Sequence, residues 1–310
     1  MRTVIIGISM IATLAAVVRG GQQPAPRDPL VREGATTKVS PHVYVIPDDD
    51  VPLVPNVGII VGTRATLVID TGLGPRNGET VVRQAAKVSK NADLYLAVTH
   101  VHPEHDLGAQ AFPASTKVIR SRGQDQDIAE FGLQLAKTFA SQSPVRAELL
   151  KDAAYRKTDI SFERSHTLDL GGVQVHMTAV GPTHTRGDTV FFVDGDSTLF
   201  AGDVVMSALP AFASPYSSVR AWLAVLDRLE AMKPKVIVPS HGRLVDAAAI
   251  GKYRDYLSAV QSRVRELKQQ GRSVDETAQI VQRELQSRFA DMAQPSRIAG
   301  AARAAFSEAQ

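Results

Sequence analysis

Residues 99–108 read THVHPEHDLG and place three of the chain's eight histidines, His100, His102 and His105, close together, with Glu104 directly before the last. The preceding run, DLYLAV at 93–98, has the apolar character of a buried strand. The histidines then occupy the loop and turn at the strand's C-terminal end, where an open sheet presents its chemistry. In an extended segment His100 and His102 project to one side, because side chains alternate with period two, and together they can grip one cation. Pro103 turns the chain and redirects Glu104 and His105 towards a second. Imidazole nitrogens with a carboxylate form a donor set for zinc or a similar borderline metal.

Further along, other strand-like runs end in polar side chains. GPTHTRGD at 181–188 is a turn carrying His184 ahead of the strand TVFFVDG at 189–195. STLFAGD at 197–203 ends in Asp203, and KVIVPSHG at 235–242 ends in His241. These ends converge with the histidine loop if the strands share a sense or an edge, as one doubly layered αβ fold provides. Asp70, at the end of TLVIDTG, and Asp188 are read as hydrogen-bonding supports beneath the loops. His42, His166 and His176 fall within alternating strand-like stretches and are read as structural residues.

The rest of the chain supplies layers for these strands. Short β-branched runs at 39–47, 57–62 and 66–72 predict consecutive strands of one sheet. A helix over 79–89 leads into the strand at 93–98, forming a crossover unit. Residues 125–150 are helical in composition, interrupted at Pro144, and are expected to wall the pocket. Residues 217–232 carry Val219, Trp222, Leu223, Val225, Leu226 and Leu229 at helical spacing, which predicts a packed helix. Two more amphipathic helices are expected at 250–271 and 274–289, the second opened by a capping box of Ser273 and Glu276. Residues 295–310 read as a frayed or weakly helical end.

Composition narrows the function. An apolar content of 44% and a charged content of 22% belong to a globular chain. A formal charge of +3 without a clustered basic stripe gives no sign of a nucleic-acid partner, and none is expected. The absence of cysteine excludes disulfides, thiolate ligands and a lipid-modified cysteine anchor. There is no glycine-rich phosphate loop, and no serine sits in a nucleophile elbow. Arg2 followed by the apolar run at 4–18 reads as a signal peptide over residues 1–25. Residues 26–310 would then form a single periplasmic or secreted domain, with a helical extension from about 250 and no stable membrane span.

THVHPEHDLG, GPTHTRGDT, FAGD and VPSHG, in this order, resemble the metal-binding signatures of the metallo-β-lactamase superfamily. The likeness covers approximately residues 39–242 and implies an α/β fold: an αββα four-layer sandwich of two mixed β-sheets flanked by helices. It implies one or two zinc ions, the first held by His100, His102 and His184. The second is held by Glu104, His105 and His241, with Asp203 where members with two like sites have a bridging carboxylate. The family has an aspartate where Glu104 stands, and the longer side chain carries its carboxylate further out. Asp203 in place of a cysteine resembles the glyoxalase, lactonase and hydrolase branches. The implied activity is hydrolysis of a small-molecule carbonyl substrate by a metal-bound hydroxide, with Glu104 and Asp203 orienting it and moving its proton. Export is compatible with a β-lactam or another cyclic amide as substrate. The alternatives are lactonase, esterase or thioesterase action, or a metal-binding module without turnover.

Overall fold

The structure, a computed structural model, describes residues 27–309, so the segment read as a signal peptide lies outside the described residues. Strands β1 (Thr37–Lys38), β2 (Val43–Ile46), β3 (Val57–Val61) and β4 (Ala65–Ile69) pair antiparallel in succession. Helix α1 (Pro75–Val88) then crosses to β5 (Asp93–Ala97), which lies parallel to β4. Pro75 opens the helix where its missing N–H costs nothing. Gly78 lets α1 press against the end of the histidine loop, since a Cβ there would sit 2.0 Å from the Gly108 carbonyl oxygen.

After α2 (Pro103–Asp106), strand β6 (Lys117–Ser121) joins β5 in parallel. The chain continues through α3 (Arg122–Asp127), a π-helical insert (Ile128–Gly132), α4 (Leu133–Ala140) and α5 (Pro144–Leu149). Pro144 begins α5, with the Ser143 hydroxyl accepting from the Arg146 N–H. Strand β7 (Ile160–Phe162) completes a seven-stranded mixed sheet in the order β1 to β7.

The second sheet contains β8 (Ser165–Asp169), β9 (Gln174–Ala179), β10 (Thr189–Val193), β11 (Thr198–Gly202) and, after α6 (Val219–Ala231), β12 (Val236–Pro239). Its spatial order is β12-β11-β10-β9-β8, antiparallel except for the β11/β12 pair. Helices α7 (Ala248–Gln269), α8 (Val274–Arg288) and α9 (Arg297–Glu308) close the described chain.

Alternation along the strands builds the layers. Val43, Val45, Leu67 and Ile69 face Val175, Met177, Phe191 and Phe200 between the sheets. Ile46, Val57, Val68 and Leu96 point outward to Val81 and Ala85 of α1. On the far side Val190, Leu199, Ala201 and Ile237 meet α6 through Trp222 and Leu226, and α7 to α9 belong to the same apolar cluster. The architecture is therefore the expected αββα sandwich. Ser218 caps α6 through the Ala221 N–H, and Ser273 and Glu276 form both bonds of the capping box on α8.

The end of the chain differs from its expectation. Residues read as frayed or weakly helical form the regular helix α9, with Ile298, Ala301, Ala302 and Ala305 buried. Its buried face consists mainly of alanine, which gives little hydrophobic contrast in the sequence. It becomes a packing face because α7 and α8 approach closely enough to cover small side chains.

Candidate metal centre

The ends of β4, β5, β10's leading loop, β11 and β12 meet at one rim of the sandwich. Short polar supports fix each ligand-bearing loop there. Asp70 follows β4 in a left-handed conformation (φ 66°) that few non-glycine residues adopt, a strained geometry typical of functional sites. Its carboxylate accepts from the Thr99 N–H at 2.7 Å, the Thr99 hydroxyl at 3.0 Å and His105 Nδ1 at 2.8 Å. Since the Thr99 hydroxyl donates to Asp70, its oxygen is left to accept from His100 Nδ1 at 3.1 Å. One aspartate thus fixes the rings of two histidines, His105 directly and His100 through Thr99, with Nε2 of both turned away from these bonds as the atom that would ligate.

Two backbone carbonyls do the same for the distant histidines. His184 Nδ1 donates to the Ala211 carbonyl at 2.7 Å and His241 Nδ1 to the Val54 carbonyl at 2.9 Å, so each presents Nε2. Asp188 shapes the His184 loop by accepting from the Thr183 hydroxyl, the Thr185 N–H and the Thr185 hydroxyl. Behind His241, Asn56 donates to the Pro239 and Gly242 carbonyls, and Asp48 accepts from the Gly242 N–H at 2.7 Å.

The sequence-predicted residues come together as three overlapping groups: His100, His102 and His184; His100, His105 and Asp203; and Glu104, His105 and His241. Within each group the candidate ligand atoms lie within 4.8 Å of one another. His102 Nδ1 is 3.0 Å from His100 Nε2 and 3.3 Å from His184 Nε2. With His100 and His184 already donating through Nδ1, these converging lone pairs call for a positive charge among them. His105 Nε2, Glu104 Oε2 and Asp203 Oδ1 are buried with no hydrogen-bond partner. Buried polar atoms are almost always satisfied, so three orphans aimed at one space fit a divalent ion better than a dry core. The mixed nitrogen and oxygen donor set suits zinc among other divalent ions.

Protonation follows the same geometry. Burial, reinforced by neighbouring histidines, pushes His100 and His102 well below the usual histidine range, so both are neutral and able to ligate. Burial also works against the charge on Asp203, yet His184, His241, His105 and His102 outweigh it and hold its carboxyl well below the usual range. Glu104 shifts the other way, raised by burial that His105 and His241 only partly offset.

Some of the supporting residues carry no signature in the sequence. Asp106, beside His105, forms a buried bidentate pair with Arg120 of β6 at 2.5 and 3.0 Å, and Arg120 also bonds the Arg156 carbonyl and Thr158. This pair anchors α2, which carries Glu104 and His105. The Tyr155 hydroxyl donates to the Val101 carbonyl at 2.9 Å and braces the other end of the loop. Each partner lies far along the chain and is recognisable only after β6 lies beside β5. His42 pairs with Asp196 at the surface, while His166 and His176 lie on β8 and β9, outside the three groups.

The cluster opens into a cavity of about 550 Å³ lined by His102, Glu104, His184, Asp203 and His241, a volume suited to a small organic ligand. Phe139 of α4 lines it with its ring 6.0 Å from that of His102, so the 125–150 segment does form part of the wall. Ala293, Gln294 and Arg297, from the connection into α9, line another side.

A family model described as the metallo-beta-lactamase superfamily matches residues 50–241. The acyl-coenzyme A thioesterase MBLAC2 of Homo sapiens is 26% identical over 190 residues, which are 56% of this chain and 66% of that protein. The match thus spans just under two thirds of the human protein. Its Gallus gallus counterpart is 24% identical over 206 residues, 62% of this chain and 74% of that one. Among solved structures, the sec-alkylsulfatase Pisa1 from Pseudomonas sp. superposes with a TM-score of 0.69 at 15% identity, covering 88% of this chain and 50% of the sulfatase. A metallo-beta-lactamase from Pontibacter korlensis gives 0.58 at 20% identity, covering 72% of this chain and 98% of that one. At these identities the structural likenesses speak for the fold.

Proposed function

The chain belongs to the metallo-β-lactamase superfamily and is a metal-dependent hydrolase of that family, and from this premise we propose that it hydrolyses an ester or thioester bond. Three buried, unpartnered ligand atoms facing a ligand-sized cavity support hydrolysis at this place above all else. The activity of these relatives, acyl-coenzyme A thioesterase, favours the ester and thioester alternative over the β-lactam first expected from the export signal. For residues 26–310 we retain a single domain, because α7 to α9 share the apolar cluster on the second sheet. For residues 1–25 we retain a signal peptide, with a periplasmic or secreted location. Among the described residues no helix is long and apolar enough to cross a membrane.

His100, His102 and His184 would hold one ion, and Glu104, His105 and His241 a second, with Asp203 between them. Zinc bound there supplies a Lewis acid that brings the pKa of a water towards neutrality and withdraws charge from the scissile carbonyl. Asp203, kept ionised by the surrounding histidines, would orient the attacking water through its carboxylate. The Glu104 carboxylate, through whichever oxygen the ion leaves free, would take the proton that the water gives up and pass it to the departing thiolate or alkoxide. Asp70 and Asp188 hold the histidine loops in place as the charge moves. Phe139 excludes bulk water from one side.

Turnover of a thioester, a lactone and a β-lactam by the zinc-loaded protein tests this assignment. The expected order places the thioester or another ester above the β-lactam in kcat/KM. A β-lactam preferred over all esters would return the first expectation to favour, and no turnover of any substrate would leave a metal-binding module.

A further inference from the structure

Among the described residues Arg297 is the only lysine or arginine lining the site cavity, whose other charged linings are Asp48, Asp50, Glu104 and Asp203 together with histidines. It enters from outside the strand framework, on the first turn of α9. The segment before it is pinned to the loop that follows Asp203. The Leu209 N–H donates to the Ala293 carbonyl at 2.9 Å, and Ala208 and Ala293 form an isolated β-bridge. Arg297 itself donates from Nη1 to the Leu209 carbonyl at 2.8 Å. No carboxylate pairs with it among the described residues, unlike Arg254 and Arg263 on neighbouring α7, which each have two acidic partners. A guanidinium fixed by one backbone bond, with its remaining N–H groups unused by carboxylates, is a ready fork for a ligand anion.

A second, smaller cleft of about 140 Å³ begins on another side of the same histidine cluster, sharing His102 and Ala213 with the main cavity. Its lining is mostly apolar, with Val101, Phe131, Leu135 and Pro215. The two spaces differ in chemistry: a small apolar slot and a larger chamber holding one cation. His102 lies at their junction.

We propose that Arg297 is a specificity-determining residue that binds an anionic group on the leaving-group side of the scissile bond, while a short apolar acyl group occupies the cleft beside Phe131 and Leu135. This selection presupposes the ester or thioester hydrolysis proposed above and names the substrate class within it: an apolar acyl group joined to an anionic alcohol or thiol. The same cation gives the chamber affinity for the released anion, so product inhibition by anionic thiols follows.

Three thioesters separate the possibilities: S-phenyl thiobutyrate, its 3-carboxyphenyl analogue with the charge on the leaving group, and S-phenyl thiosuccinate with the charge on the acyl side. The wild type should favour the 3-carboxyphenyl ester over the neutral one. In Arg297→Gln that preference should fall roughly tenfold, with the loss in KM, and Arg297→Lys should recover part of it. Equal changes for all three esters, or a change confined to the thiosuccinate, would overturn the assignment. A binding arm works without turnover: calorimetric titration of the zinc-loaded protein with dicarboxylates from succinate to suberate and with the matching monocarboxylates. At least one dianion should bind more tightly than its monoanion in the wild type, and the margin should shrink in Arg297→Gln. Identical margins in the two proteins would refute the anion site even if hydrolysis is observed. Failure of all three esters with the margin intact would instead remove the hydrolytic assignment and leave the anion site. Thermal melting of each variant identifies any loss caused by unfolding, and Arg297→Lys then carries the comparison.

Discussion

Asp70 Oδ2 lies 2.8 Å from His105 Nδ1, and both side chains are shut off from solvent. The same carboxylate takes two bonds from Thr99, so one residue outside the candidate ligand set governs the aim of His100 and His105. Asp70→Asn keeps the shape but leaves one acceptor oxygen for three donors. We expect metal affinity to drop about 10- to 100-fold, measured by competition with a chromophoric chelator. Unchanged affinity would show that His105 is held by packing alone.

A pH dependence follows from this pair. In the metal-free protein burial pulls the His105 pKa down, but Asp70, followed by Glu104 and Asp203, lifts it to about 9. A folded-state pKa above the unfolded value of about 6.5 contributes stability fully below that value, and the contribution is lost as pH rises through 9. Ligation needs neutral imidazole, so binding must expel this proton. Affinity at the Glu104, His105 and His241 group should therefore rise roughly tenfold per pH unit from about 7 to 9 and then level off. His100 and His102 are already neutral and add no slope. A flat affinity profile over that range would contradict the assignment of His105.

Arg120 and Asp106 form a buried ion pair beneath α2. Arg120→Met should cost about 3–5 kcal/mol in urea unfolding, because it leaves a buried carboxylate without its partner. Asp106 already sits above the usual carboxylate range through burial, with Arg120 opposing that shift, so the variant should take up a proton there on folding. A loss below about 1 kcal/mol would mean the pair is not a principal anchor of α2.

The Glu104 side chain tests whether two ions are held. Glu104→Ala removes one ligand from the second group and none from His100, His102 and His184. Elemental analysis after dialysis should find one ion retained and the second lost. Loss of both would show that the groups act as one cooperative unit.

The histidine loop, His184, Asp203 and His241 were legible because each lies in a turn beside a short apolar, strand-like run. Such runs reveal strands and their ends without any long-range information. Asp106–Arg120, Asn56 and Arg297 were not, since each acts through contacts that only the assembled strands and layers create, for Asn56 and Arg297 across a large separation in sequence. The regularity of helix α9, read only as a frayed or weakly helical end, was hidden for a related reason: its buried alanines become a face only against α7 and α8.

The central claim, hydrolysis that depends on a divalent ion at this rim, is tested most directly by adding zinc stepwise to metal-free protein while following thioester cleavage. No turnover should occur before the first addition, and activity should climb to a plateau at one or two equivalents. The double variant His102→Ala, His184→Ala should stay inactive throughout. Full activity in the metal-free protein, or in that double variant, would contradict it.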